Sequence, residues 1–413
     1  MTSDAPRAEE TGAGAERGML ALLLAGVIVS LVMFVLRPVP GGRHYEYALI
    51  LTASLTVIWR LYISRPRTFF SPGVLAFVMA AGLVLGTVNL LVIRSDSEVV
   101  RTYRSVFEAL DSGQNPYTAG TIYHEIEGQG TVYGNFNYPP LEIAPYYLAY
   151  RIAGTWNMTV LALTMILIQA LAAVILFRMF RRLRPALLWP FVPMILLGEV
   201  KTTVALTVLV TASVLWAFKK NADAPLPIYR VLIAGLFGLG LMTKFLVLPL
   251  MAAYYWHRFD RKNLKSLIPI AVDTAIAAAT AVLIAAPFGI GNVLKNTVLF
   301  NIVLKDRAAL TTFYPNVLSG LLAWAGWGAL FPFLAAFLLL LAVLAAPKFP
   351  PLTAMTISGF VFMILATTPE PQFLPPLLLI TAVAQGMAAE AEARLGPPAA
   401  WERLMRPAKG RAA

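Results

Sequence analysis

The sequence of 413 residues contains no cysteine, which excludes disulfide bonds, thiolate metal sites and cysteine nucleophiles. Its three histidines, His44, His124 and His257, lie too far apart in the sequence to predict a histidine metal cluster. Charged residues make up only 13% of the chain, and the net charge of +12 is not gathered into the aromatic-interleaved basic patch typical of nucleic-acid binding. Apolar residues are abundant instead, at 59% with a mean hydropathy of +0.72. This composition predicts a polytopic integral membrane protein.

Apolar segments long enough to cross or enter a hydrocarbon core of about 30 Å recur along the chain. We predict about twelve such helices in one transmembrane domain over 19–389, flanked by a disordered cytoplasmic tail at 1–18 and a second cytoplasmic tail at 390–413. The predicted segments are 19–36, 47–63, 72–93, 159–180, 186–197, 203–218, 229–242, 245–256, 266–286, 316–346, 352–367 and 373–389.

Basic residues distribute unevenly when the N-terminus is placed inside the cell and the crossings are counted. The cytoplasmic side then holds 22 of the 33 Lys and Arg residues, and the other side holds 11. This asymmetry follows the positive-inside rule and places the long polar loop 94–157 outside. The segments around Thr243 and Lys244 are short, so 229–256 is predicted to be a bent helix pair, which membranes tolerate where it lines a cavity or is covered by protein.

The same crossing count places several polar residues together on the outer face. Asp96 and Glu98 open the long loop, and the other members of the set are Lys201, Lys244, Arg307, Glu370 and Gln372. Ionisable residues near membrane depth are costly and mark function by default, although each one alone is equally explained as a hydrated loop charge. Within the loop, helices are predicted over 99–110 and 141–152, separated by proline and glycine turns and lying along the membrane surface.

Six short motifs follow one another on this outer face. They are GQNPY (113–117), FNYPPLE (136–142), LLGEVK (196–201), GLGLMTKFLVLPL (238–250), APFG (286–289) and PEPQF (369–373). In order and spacing, from Arg94 to Phe373, the chain resembles the GT-C-fold membrane glycosyltransferases, and most closely the bacterial polyprenyl-phosphate-mannose-dependent mannosyltransferases. The resemblance implies an all-α, GT-C-like membrane fold.

The resemblance also implies roles for individual residues. The catalytic base would be Asp96, by residue type, or Glu98, by its spacing to Tyr103, and the sequence does not separate them. Lys244 would bind the donor phosphate, with Lys201 and Arg307 as further contacts. Glu370 and Gln372 would contact sugar or acceptor, although related families often carry arginine at the position of Gln372. Tyr138 and His124 are further candidates for sugar or acceptor binding.

Structural explanations stand beside these roles. Acidic residues favour the first turn of a helix, and a lysine at a membrane interface often extends its ammonium to water. Tyr117 and Tyr138, with the neighbouring prolines, are expected to form turns and an interfacial aromatic belt.

The sequence thus predicts an enzyme of the outer face of the cytoplasmic membrane. It would transfer a sugar, mannose in this interpretation, from a polyprenyl-phosphate donor to a glycolipid or cell-envelope glycan. No cofactor or metal is expected, because a lipid phosphate is already a competent leaving group, and activity is predicted to survive EDTA. Two alternatives are an envelope polysaccharide polymerase or ligase, and a lipid-linked sugar transporter, for which matching broken helices in inverted repeats would be expected.

Overall fold

The structure is a computed structural model. It describes residues 98–119, 122–126, 130–180, 205–260, 262–304, 322, 325–365 and eight positions between 376 and 387. These residues fall into two compact units. The larger unit contains 98–251 and 258–304, and the smaller unit contains 252–257 and the described residues after 322. The predicted segments 19–36, 47–63, 72–93 and 186–197 lie outside the described residues.

Helices account for most of the described residues. In chain order the α-helices are α1 (Glu98–Asp111), α2 (Ile143–Ala153), α3 (Met158–Phe180), α4 (Ala205–Asp223), α5 (Pro227–Leu241), α6 (Val247–Arg258), α7 (Leu267–Ala285), α8 (Ile290–Val293), α9 (Phe331–Leu344) and α10 (Pro351–Leu365). A π-helical stretch, Leu294–Leu304, continues α8. Short 3-10 turns occupy Pro140–Glu142, Leu264–Ser266, Ala286–Phe288, Gly328–Leu330 and Ala346–Lys348.

A two-stranded antiparallel hairpin interrupts this helical pattern in the long loop. Strand β1 (Ile122–Ile126) pairs with β2 (Gly130–Gly134) and packs beside α1. The described residues are otherwise mainly helical, as predicted, but the prediction of only turns between the two loop helices is wrong at this point. The physical signal was present in the sequence, where two short runs containing β-branched and aromatic residues flank a glycine-containing segment.

The two predicted loop helices are confirmed as α1 and α2. A helix-terminating glycine explains the end of α2, because Gly154 adopts the left-handed conformation (φ 68°) that glycine accepts without strain. Helix α5 begins with Pro227 in its first turn, a position where the missing N–H of proline costs no hydrogen bond. The sequence therefore gives clear boundaries to the elements that surround the polar loop.

Helix packing in the larger unit runs from neighbour to neighbour. Helix α2 packs on α3, α3 on α4, α4 on α5, and α5 on α7. The contact between α5 and α7 is especially close at Gly238, where an added Cβ would collide with the carbonyl oxygen of Ala277. At Gly240 an added Cβ would lie 2.9 Å from Val247 Cγ1, across the bend between α5 and α6. Glycines in the GLGL motif thus permit the close packing of the predicted bent pair.

Two predicted segments differ from the structure. The apolar run 316–346 is not one helix, because a turn containing Gly326 (φ +78°) separates Leu322 from α9. Residues 290–304, left as a connection in the sequence prediction, are helical. In the smaller unit, α9 packs on α10, and Trp256 Nε1 donates a hydrogen bond to Leu344 O at 3.3 Å.

Apolar side chains cover much of the outside of the described helices. One described helical stretch, Leu264–Phe288, is long and apolar enough to cross a membrane, with a mean hydropathy of 2.1. Only 11% of its most apolar window is buried within the protein. Leu283 on α7 and Phe333 on α9 are each 74% exposed. These faces are not covered by other described residues.

Candidate active site in the outer loop

Lys244 forms a buried ion pair with Glu142 in the larger unit. The ammonium Nζ lies 2.6 Å from Glu142 Oε1, and the Glu142 side chain has no exposed surface. The Lys244 side chain retains 10% of its surface. Whatever part of this pair is open to solvent therefore lies on the lysine side.

Two tyrosines lie beside the pair. Lys244 Nζ lies 4.9 Å from the centre of the Tyr138 ring, within the range of a cation–π contact. The Tyr103 hydroxyl donates a hydrogen bond of 3.0 Å to Glu142 Oε2. The two carboxylate oxygens thus have different partners, one cationic and one neutral.

Local backbone geometry brings these residues together. Helix α5 ends at Leu241, and the turn that follows is closed by Lys244 N donating to Gly240 O at 2.9 Å. Thr243 Oγ1 donates to the same carbonyl at 2.7 Å. On the opposite side, Leu141 N donates to Met242 O at 3.0 Å, which holds the Pro140–Glu142 turn against the bend.

An aromatic core surrounds Tyr103, the hydrogen-bond donor to Glu142. Tyr103 stacks on Tyr146 with ring centres 3.8 Å apart and an interplanar angle of 8°. Phe136 packs edge-on against Tyr103 at 5.7 Å and against Tyr117 at 5.4 Å. All four rings are fully buried. The expectation that Tyr117 belongs to an interfacial belt is therefore wrong, because its ring lies in the core of the loop; the Tyr138 ring, by contrast, is half-buried against Lys244.

The NPY motif has a structural role in this arrangement. Asn115 Oδ1 accepts from Tyr117 N at 3.0 Å, and Asn115 Nδ2 donates to Phe288 O at 2.6 Å. Asn296 Nδ2 donates to Tyr117 O at 2.9 Å, from the helical stretch that the sequence prediction missed. These bonds attach the GQNPY turn to the APFG motif and to the helical stretch that follows it.

Burial changes the acid–base character of the loop tyrosines. The pKa of Tyr103 is raised well above its usual value, chiefly by burial and then by the negative charge of Glu142. Burial also raises the pKa of Tyr117, with Glu142 again contributing. Both hydroxyls therefore stay protonated as hydrogen-bond donors across the physiological range.

The predicted site residues have different outcomes. Lys244 and Tyr138 lie in contact. Glu98 is the first residue of α1, and His124 lies in β1 opposite Val132. The remaining predicted residues, Asp96, Lys201, Arg307, Glu370 and Gln372, lie outside the described residues. No group of three His, Asp or Glu side chains suited to a metal ion occurs among the residues described.

Sequence reasoning missed Glu142 and treated Tyr103 only as a spacing marker. The available signal was the position of Glu142 at the end of FNYPPLE, directly before an apolar helix, where a carboxylate needs a partner. Its partner, Lys244, is about a hundred residues away in the sequence, so the pairing was not predictable from local pattern.

A second buried charge cluster lies elsewhere in the larger unit. Asp273 on α7, which is 1% exposed, lies 2.9 Å from Arg230 Nε and 2.6 Å from Arg258 Nη1. These contacts join α7 to the start of α5 and the end of α6. The sequence did not predict a role for Asp273. Its ion pairs stabilise the packing of α7 against α5 and α6.

No protein-family model and no curated protein matches the sequence. Two crystal structures of ArnT from Cupriavidus metallidurans are similar to the chain. The structure bound to undecaprenyl phosphate has 17% identity and a TM-score of 0.47, over 81% of this chain and 62% of that one. The apo structure has 16% identity and a TM-score of 0.45, over 78% and 63%.

This chain spans less than two thirds of the length of either ArnT structure.

Proposed function

We propose that this protein is an integral-membrane glycosyltransferase with a GT-C-like fold. It takes a sugar, mannose in the first instance, from a polyprenyl-phosphate carrier and adds it to a glycolipid or cell-envelope glycan. The reaction takes place on the outer face of the cytoplasmic membrane, where the long loop lies.

The buried Lys244 ammonium is the observation that carries the proposal. It is held by Glu142 and the Tyr138 ring at the bend between α5 and α6, and the exposed part of the pair is on its side. A cation fixed in a water-poor site stabilises negative charge as it develops on a departing phosphate. Lysine is a common phosphate-binding residue because its ammonium acts as a compact point charge.

The exposed apolar faces support placement in a membrane. Leu264–Phe288 has the length and hydropathy of a crossing helix, yet little of it is buried by protein. Exposure of this kind is costly in water but is expected where lipid covers the helix. A lipid-anchored donor would then approach Lys244 within the membrane plane.

The proposed reaction is an inverting displacement. Asp96 or Glu98 takes the proton from an acceptor hydroxyl, whose oxygen forms a new bond to the anomeric carbon. The bond between that carbon and the phosphate oxygen breaks, and the polyprenyl phosphate leaves beside Lys244. Lys201 and Arg307 provide further phosphate contacts. Tyr138, His124, Glu370 and Gln372 contact the sugar or the acceptor.

The experiment is a transfer assay with purified protein in proteoliposomes. Wild type is compared with Asp96→Asn and Glu98→Gln, using polyprenyl-phosphate-mannose as donor and a membrane lipid extract as acceptor. Loss of the base should lower the rate roughly 100- to 10,000-fold in one of the two variants.

Glu108→Gln is the matched control, because it makes the same acid-to-amide change at an exposed position on α1 that pairs with Arg104. It should keep the wild-type rate. Full activity in both Asp96→Asn and Glu98→Gln would refute the base assignment. A wild type that is inactive with every polyprenyl-phosphate sugar would refute the proposed class.

A further inference from the structure

Glu142 contacts two segments whose relative position matters for the proposed reaction. Its Oε1 lies against Lys244 at the α5–α6 bend, and its Oε2 accepts from Tyr103 on α1. Helix α1 begins at Glu98, one of the two candidate bases, and Tyr103 lies five positions further along it. A single carboxylate thus connects α1, which begins at one of the two candidate bases, to Lys244.

The backbone reinforces this connection. Leu141 N donates to Met242 O at 3.0 Å, next to the ion pair in both segments. The 3-10 turn Pro140–Glu142 is also held by Glu142 N donating to Pro139 O at 3.1 Å. Glu142 is therefore fixed at its backbone and at both carboxylate oxygens, which leaves little freedom to the groups that it holds.

Packing alone does not require charge at this position. Buried ion pairs lose hydration, and their replacement by apolar residues of similar volume is often neutral or stabilising. Tyr103 itself belongs to a cluster of buried apolar residues. A charged pair here is better explained by a task that needs the ammonium in one place.

We propose that Glu142 is a positioning residue, which sets Lys244 and α1 at the separation that sugar transfer requires. Glu142 is fully buried, so it acts through Lys244 and Tyr103 and not by touching the substrate. The inference rests on the proposed function, because it concerns the same donor site. It adds Glu142 and Tyr103 to that site, with separate effects on donor binding and on turnover.

The test is steady-state kinetics of Glu142→Gln and Tyr103→Phe in proteoliposomes, expressed per mole of folded protein. Glu142→Gln removes the counter-charge of Lys244, and we expect kcat/KM for the donor to fall about 10- to 100-fold, as when a residue that orients a charged ligand group is lost. Tyr103→Phe removes only the hydrogen bond from α1. It should lower kcat with little change in the donor KM, because Lys244 keeps its partner.

Asp273→Asn is the matched control for general damage, because it removes another buried carboxylate from an ion-pair cluster in the same unit. Its partners Arg230 and Arg258 lie at the ends of α5 and α6 that are remote from Lys244. Asp273→Asn should therefore lose thermal stability while its folded fraction keeps the wild-type KM and kcat. Glu142→Asp, which keeps the charge, should recover part of the activity that Glu142→Gln loses. If Glu142 had a purely structural role, Glu142→Gln would behave like Asp273→Asn. It would lose stability but keep the wild-type kinetics per mole of folded protein, so Glu142→Asp would have no activity to recover.

Binding of polyprenyl phosphate alone, followed by intrinsic fluorescence in detergent, separates the two levels of failure. Weaker binding by Glu142→Gln than by wild type supports the inference. If the wild type transfers sugar and Glu142→Gln has the same kinetics and the same binding, the inference is overturned and the proposed function stands. A wild type that neither binds polyprenyl phosphate nor transfers sugar overturns the proposed function, and the inference with it.

Discussion

At the scale of single residues, the ion pair of Lys244 and Glu142 dominates the energetics of the site. Removing one partner of a buried pair leaves the other charge without compensation and typically costs about 3–5 kcal/mol. The Tyr138 ring offsets part of the lost hydration of the ammonium, since its π face attracts a cation at 4.9 Å. The pair is therefore sensitive to substitution at either end.

Tyr103 provides a pH-dependent test of the same network. Tyr103→Phe should lower the free energy of unfolding near pH 7 by about 1.5–3 kcal/mol, the contribution of a hydrogen bond to a charged group. An unfolded tyrosine ionises at about pH 10. The pKa of folded Tyr103 is higher, so above pH 10 the folded protein binds more protons than the unfolded chain.

The free energy of unfolding therefore falls as pH rises above about 10, and this fall should be smaller in Tyr103→Phe. Denaturant melts of both proteins between pH 7 and 11 measure the difference. Parallel pH dependences in the two proteins would show that Tyr103 is not held in the protonated state by its burial and by Glu142.

At the scale of elements, the close packing of α5 on α7 depends on a glycine. Gly238 lies against the backbone of Ala277 on α7, and a backbone atom has little freedom to move away. Gly235 on the same helix is different, because an added Cβ there would lie 3.9 Å from Thr280 Oγ1. Two glycines on one helix thus face opposite consequences of the same substitution.

Gly238→Ala should destabilise the protein by about 1–3 kcal/mol through overpacking, despite the better helix propensity of alanine. Gly235→Ala should be neutral or more stable, by up to about 1 kcal/mol, because only the propensity changes. Melting temperatures in detergent compare the two. Equal stability of Gly238→Ala and wild type would mean that α5 and α7 are not in this close contact.

The sequence predicted most of these elements because apolar periodicity and proline and glycine signals are local. Helices α1, α2 and α3 and the bend at Lys244 follow from such signals. The β-hairpin at 122–134 was not predicted, because the long apolar segments of the chain indicate helices. The pairing of Glu142 with Lys244 was also missed, since it depends on tertiary contact between distant segments. Likewise, Asn115 and Asn296 gain their roles only when the GQNPY turn and the helical stretch Leu294–Leu304 are brought together.

At the scale of the whole molecule, orientation in the membrane decides which substrates are available. The proposal places the loop 94–157 outside and the connection at 258–265 in the cytoplasm. The absence of cysteine makes this directly testable, because any introduced cysteine is the only thiol.

Ser112→Cys, exposed after α1, should react with a membrane-impermeant maleimide in intact cells. Lys262→Cys, exposed between α6 and α7, should react only after permeabilisation. Labelling is read by gel shift or mass spectrometry. The opposite pattern would place the candidate site in the cytoplasm and remove the case for a lipid-linked donor.

Sugar transfer by Lys244 variants tests the central claim most directly. The initial rate from a polyprenyl-phosphate sugar is measured in proteoliposomes for wild type, Lys244→Gln, Lys244→Arg and the exposed-site control Lys265→Gln, per mole of folded protein. The double variant Lys244→Gln with Glu142→Gln removes the stranded carboxylate and so separates charge loss from misfolding. We predict that both variants with Gln at 244 lose roughly 100-fold or more of the rate, as when a group that stabilises transition-state charge is removed. We also predict that Lys244→Arg keeps part of the rate and Lys265→Gln keeps all of it. A wild-type rate in Lys244→Gln would contradict the assignment of this site to the donor phosphate.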